Sequence, residues 1–131
     1  MLANGAAFAY RNTAADSDGI RVAARGKLYG GRTVIRHVAI VELSSDCAPD
    51  DRDALVAQIR ALGATIPTVA AMTVGIARDS SGQALNRICL VSDHRTWDDL
   101  DTYLRDPAHQ AVAREVGRLR ESAMGADFEV R

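Results

Sequence analysis

Three side chains in this sequence have the makings of a metal-free acid–base site: His37, Tyr103 and His109. Histidine is the side chain whose ordinary pKa lies closest to neutrality, so it can take or give a proton near pH 7. A tyrosine hydroxyl can orient a substrate oxygen or stabilise an enolate. Tyr103 and His109 flank Asp106-Pro107 in the stretch "DTYLRDPAHQ". His109 comes third in a helix that Pro107 would open, where the helix dipole disfavours added positive charge. A neutral imidazole able to act as a base is expected there. Together the three residues suit proton abstraction beside a carbonyl. The same residues also have a packing explanation. Asp-Pro-x-His is a good helix start, Tyr103 lies one turn after Leu100, and His37 can be a satisfied interior histidine. Three readings therefore stand: packing alone, a binding pocket without catalysis, and catalysis.

Other reactive residues carry less. His94, in "SDHRTW", reads as a solvated loop residue before a helix. The histidines lack ligand spacing such as H-E-x-x-H, so no metal is expected. No phosphate-binding loop, dinucleotide fingerprint or nucleophile elbow is present, and no cofactor is expected. Cys47 and Cys89 form no C-x-x-C and read as thiols of a reducing cytoplasm, Cys89 as a small core residue on a strand and Cys47 as a loop residue. Asp50, Asp51, Asp53, Asp98, Asp99 and Asp101 read as helix-start and surface charges.

Composition narrows the classes. A chain of 131 residues, 47% apolar and 25% charged, is one domain with room for a core. The net charge of −1, the 5% aromatic content and the lack of a basic stripe argue against a nucleic-acid partner. No apolar run approaches the roughly 18 residues of a membrane span. The first residues lack the basic start and compact apolar stretch of a secretory signal, so a cytoplasmic protein is expected. Lys27 is the sole lysine among many arginines, and alanine is abundant, which points to a GC-rich bacterial genome.

Residues 1–32 show no sustained period and read as an extension, either flexible or docked on a partner. Regularity begins at 33. "TVIRHVAIVEL" (33–43) is a β-branched strand, with His37 on the face that carries Ile35, Ala39, Val41 and Leu43. Both of its faces are largely apolar, so both should be covered. A helix follows, opened by Pro49 and the acidic Asp50 and Asp51, striped by Leu55, Ile59 and Leu62, and stopped at Gly63. Strands are predicted over 68–77 and 85–92, joined by the turn chemistry of "RDSSGQ". "TWDD" (96–99) caps a further helix with Trp97, Leu100 and Leu104 on its stripe. Asp106 and Pro107 restart it, with Ala108, Val112, Val116 and Leu119 inward. Gly117 suggests close packing, Gly125 should end this helix, and "DFEV" (127–130) should be a short last strand.

The order β-α-β-β-α-β, with the second helix broken in two, is an α+β ferredoxin-like domain with a four-stranded antiparallel sheet over 33–131. Helices cover one sheet face. A twin subunit would cover the other, giving a homodimer.

"IRHVAIVEL", "PDDRDALVAQIRALGATIPTV", "TWDDLDTYLRDPAHQAV" and the terminal "DFEV", in that order, resemble the stress-responsive dimeric α/β-barrel (Dabb) family. The resemblance covers about 34–130 and implies two sheets facing each other as a barrel. The family includes plant stress proteins, many bacterial proteins and a polyketide cyclase, olivetolic acid cyclase, which closes a linear polyketide by an aldol-type condensation. The cyclase's pocket histidine on the first strand, tyrosine on the second helix and histidine after the Pro-x dipeptide match His37, Tyr103 and His109. Its third-strand histidine is matched here by Ile88. The resemblance implies either a cofactor-independent cyclase or lyase acting on a polyketide-like or β-keto carbonyl compound, or a non-catalytic stress-response or accessory binding protein.

Overall fold

The computed structural model describes residues 33–131; the extension expected at 1–32 lies outside them. The chain order is β1 (Val34–Leu43), α1 (Pro49–Thr65), β2 (Ala71–Arg78), β3 (Ala84–His94), α2 (Trp97–Arg105), α3 (Pro107–Leu119) and β4 (Arg120–Val130). The strands form one antiparallel sheet in the order β2-β3-β1-β4. This is the ferredoxin-like arrangement expected from the sequence, with the second helix in two pieces.

β1 runs down the middle of the sheet, and its two faces differ. Ile35, His37, Ala39, Val41 and Leu43 are buried beneath the helices, whereas Ile40, on the opposite face, is 40% exposed. Under α1 and α3 the core is built from Val41, Leu43, Leu55, Ile59, Ile88, Leu90 and Val116. A second cluster, at the other end of the sheet, holds Ile35, Leu62, Ile66, Leu100 and Tyr103. Each such Leu or Ile stabilises the fold by about 1.5–3 kcal/mol through burial. Cys89 lies on β3 as expected, but it pairs with Ile40 on the open face and is half-buried, outside the helix-side core.

The helix starts follow the sequence closely. Pro49 opens α1, with Asp50 and Asp51 in its first turn. Thr96 Oγ1 accepts from the Asp99 amide at 3.0 Å to cap α2. Asp106 Oδ1 accepts from the Ala108 amide at 2.8 Å to cap α3, and Pro107 follows it.

The helix ends do not follow it. α1 runs past Gly63 to Thr65. Gly63 serves packing instead: a Cβ there would lie 2.6 Å from Met72 Cβ, so glycine lets α1 settle onto β2. Gly117, expected at a close contact, has nothing within 4 Å of where its Cβ would be. The expected helix end at Gly125 is also overturned. α3 stops at Leu119 and β4 begins at once, an 11-residue strand rather than a four-residue one. Gly125 sits within it, opposite Ala39. The apolar stripe of α3 runs out after Leu119, and the ladder to β1 outweighs the helix propensity of "RESAM". β3 likewise runs to His94, two residues beyond the predicted strand.

Candidate functional site

The sheet register assembles the centre of the site. On β1, His37 faces Ser92 of β3 on one side and Asp127 of β4 on the other. Antiparallel partners share a face, so Asp127, His37 and Ser92 form one polar row beneath the helices. All three are fully buried. His94, two residues beyond Ser92, lies on the same face and is also fully buried. Tyr103 comes in from α2 and His109 from α3, both almost wholly buried. The Tyr103 ring centroid lies 4.6 Å from that of His109, 4.9 Å from that of His94 and 6.1 Å from that of His37. The break between α2 and α3 turns Tyr103 and His109 toward each other edge-on.

His37 Nδ1 lies 2.5 Å from Asp127 Oδ1. The carboxylate accepts, so Nδ1 carries a proton and any further proton must be taken at Nε2. Burying a carboxylate is costly unless it is paired, and His37 is the partner that offsets the cost here.

His109 is pulled down to about 4, chiefly by burial and next by the electrostatic influence of His37; the Leu104 carbonyl and the charge on Asp106 oppose the shift. It is therefore neutral at pH 7, in the direction expected from its place in the helix, but burial is the larger cause. His94 is also lowered, again mainly by burial, while its hydrogen bond to Thr68 works the other way. Tyr103 is raised by burial, against the opposing effect of a side-chain hydrogen bond with Ser92, so the phenol keeps its proton.

All three predicted residues are thus neighbours. His94 overturns its expectation: it is no solvated loop residue, because β3 extends far enough to pair it with Ile35 and place it beneath the helices. Its ring is anchored, with Nδ1 donating to the Thr68 carbonyl at 2.8 Å and Nε2 2.9 Å from Ser92 Oγ. Sequence reasoning also missed Asp127 and Ser92. The signal for Ser92 and His94 was the two-residue alternation after Ile88 and Leu90, carried on to the strand's end. Ile88 itself is core, paired with Val41. Among the described residues no group of three or more His, Cys, Asp or Glu stands where it would hold a metal ion. No helix among them is long and apolar enough to cross a membrane.

Comparison with solved structures returns the same fold. A dimeric ferredoxin-like protein of unknown function from Bacteroides fragilis is 23% identical, with 74% of this chain and 96% of that one covered at a TM-score of 0.63. A hydroxynitrile lyase from Passiflora edulis is 14% identical, with 75% and 94% covered at a TM-score of 0.65. A cofactor-independent oxygenase from Streptomyces nogalater is 17% identical, with 75% and 93% covered at a TM-score of 0.61. A search of curated proteins found no match. The sequence pattern that defines the Dabb family matches residues 35–130, nearly all of the described residues. The chain is a member of the stress responsive A/B barrel domain family, Dabb.

Proposed function

We propose that this chain is a homodimeric small-molecule-binding protein. In this reading His37, Tyr103 and His109 carry cofactor-independent acid–base chemistry of the cyclase or lyase type on a polyketide-like or β-keto carbonyl compound. The observation that supports it best is the convergence of these three residues from β1, α2 and α3 on one buried spot. Packing alone would be served by apolar side chains at far lower desolvation cost. His109, neutral and poor in solvent, is suited to take a proton from the carbon beside a carbonyl. Tyr103 keeps its phenol and meets the substrate oxygen. His37, held in one orientation by Asp127, supplies the second acid–base group. The lyase and the oxygenase of the same fold lend support only in kind: the scaffold hosts more than one chemistry, so the site must decide.

The dimer rests on the open sheet face. Ile40 and Met124 face each other across β1 and β4 and are 40% and 72% exposed. Val38, Ala126 and Val91 continue the patch along the register. The Bacteroides fragilis neighbour is described as dimeric.

A second reading, a non-catalytic stress-response or accessory binder, is favoured by one feature. None of the His37, His94, Tyr103 and His109 side chains is more than 2% exposed, so a bound molecule must displace packed rings. Turnover of β-keto and linear polyketide thioesters by the wild type and His109→Ala separates the two readings. Loss of about 100-fold or more in the variant is expected for a general base. Binding with equal conversion in both proteins would remove His109 from catalysis and leave the binder.

A further inference from the structure

Asp127 brings both oxygens of its carboxylate into the polar row, and the protein satisfies only Oδ1, which takes the His37 Nδ1 proton at 2.5 Å. Oδ2 has no hydrogen-bond partner among the described residues, although Asp127 is 0% exposed. The topology explains the imbalance. β4 lies at the edge of the sheet, in the order β2-β3-β1-β4, so among the described residues β1 is the one strand beside Asp127. Its register partner on β1 is His37, whose Nδ1 proton already goes to Oδ1. No further strand brings a donor to the other side.

Each carboxylate oxygen has lone pairs for more than one donor. Leaving a buried acceptor unmatched costs the desolvation of that group, and the cost is larger when the group is charged. An oxygen in this position is satisfied from outside the chain: by a water when the site is free, by a group of the bound molecule when it is filled. A molecule that displaced the water without offering a donor would leave Oδ2 dry and unpaired. Asp127 stands on the same side of the sheet as the other site residues, and the His37 ring it holds has its centroid 6.1 Å from that of Tyr103.

We propose that Asp127 Oδ2 is a subsite that accepts a hydrogen bond from a hydroxyl of the bound molecule, so that the ligand is a carbonyl compound carrying a second oxygen as a hydroxyl or enol. This rests on the binding reading above and narrows its substrate class. The carbonyl oxygen meets Tyr103, as in that reading, and the separate hydroxyl donates to Asp127. Oδ1 keeps His37 oriented whichever molecule is bound.

Two measurements test this. The 2′-, 3′- and 4′-hydroxyacetophenones carry a carbonyl and a hydroxyl at different separations, and their methyl ethers lack the hydroxyl proton. In titrations of the full chain, at least one hydroxy compound should bind the wild type about tenfold or more tighter than its ether, the worth of a hydrogen bond to a charged group. Asp127→Asn keeps the shape of the side chain. Its amide oxygen can still take the His37 proton, which turns the NH2 group to where Oδ2 stood. The ratio should fall close to one in this variant, because hydroxyl and ether oxygens can both accept from the amide. Binding of the wild type without regard to the hydroxyl, a preference for the ether, or the same ratio in Asp127→Asn overturns the proposal. A crystal structure of the free wild type reads Oδ2 without any variant. A water within hydrogen-bond distance of it is expected; a donor from the protein itself in that place overturns the proposal. If none of the compounds binds, the binding reading fails and the anchor with it; if they bind without preference, the anchor alone fails.

Discussion

At the residue scale, the buried imidazole of His109 ties stability to pH. The folded-state value of His109, about 4, lies below the roughly 6.5 of an exposed imidazole. Between those values the unfolded chain binds a proton that the folded one refuses. The stability is fully present above about pH 6.5 and is lost as pH falls toward 4. The loss for this one group is about 3 kcal/mol. Urea unfolding of wild type and His109→Gln at pH 7 and pH 4 should show it. The variant should lose less stability on acidification than the wild type, by an amount of that order, whatever the carboxylates add to both. Parallel losses would mean that His109 titrates normally in the folded state. Residue types and spacing brought forward Tyr103 and His109, because a helix restart is a local pattern, and the family resemblance singled out His37 on the first strand. They did not bring forward His94 or Asp127. Whether a polar residue at a strand's end is inside or outside depends on what pairs with it, and Ile35 and His37 are far away in sequence.

At the element scale, two glycines make opposite predictions. Gly63→Ala pushes a methyl group to 2.6 Å from Met72 Cβ, where helix and strand backbones are already close. It should destabilise by about 1–3 kcal/mol, as overpacking does. Gly117→Ala, inside α3 and with open space around it, should stabilise by up to about 1 kcal/mol through helix propensity. Thermal unfolding of the two variants should therefore move in opposite directions; a stabilised Gly63→Ala would show that α1 can shift off β2 without cost. Both glycines were misread from sequence for one reason. A glycine in a helical pattern looks alike whether it stops the helix, lets another element approach or does neither, and only the neighbour across the interface tells them apart. Helix starts were legible because caps are local: Asp106 and Thr96 bond to amides two and three residues on. The change from α3 to β4 was not, because the segment takes its strand form from β1.

At the scale of the whole molecule, the dimer proposed for the open sheet face makes its own prediction. Met124→Asp puts a charge opposite Ile40 at the centre of the exposed patch. Desolvating that charge in an interface costs several kcal/mol, so the variant should sediment as a folded monomer at concentrations where the wild type is a dimer. An unaltered sedimentation coefficient would place the interface elsewhere. The pairing of β1 with β4 has a consequence of another kind, in time rather than in space. His37 and Asp127 are 90 residues apart in the chain, and nearly the whole domain lies between them. During synthesis His37 leaves the ribosome long before its carboxylate partner has been made. The polar row cannot close until the last strand is free to join the sheet. Contacts of such long range make for slow folding, in milliseconds to seconds. The polar row of Asp127, His37 and Ser92 is therefore absent from every partly made chain and arrives only with the complete sheet.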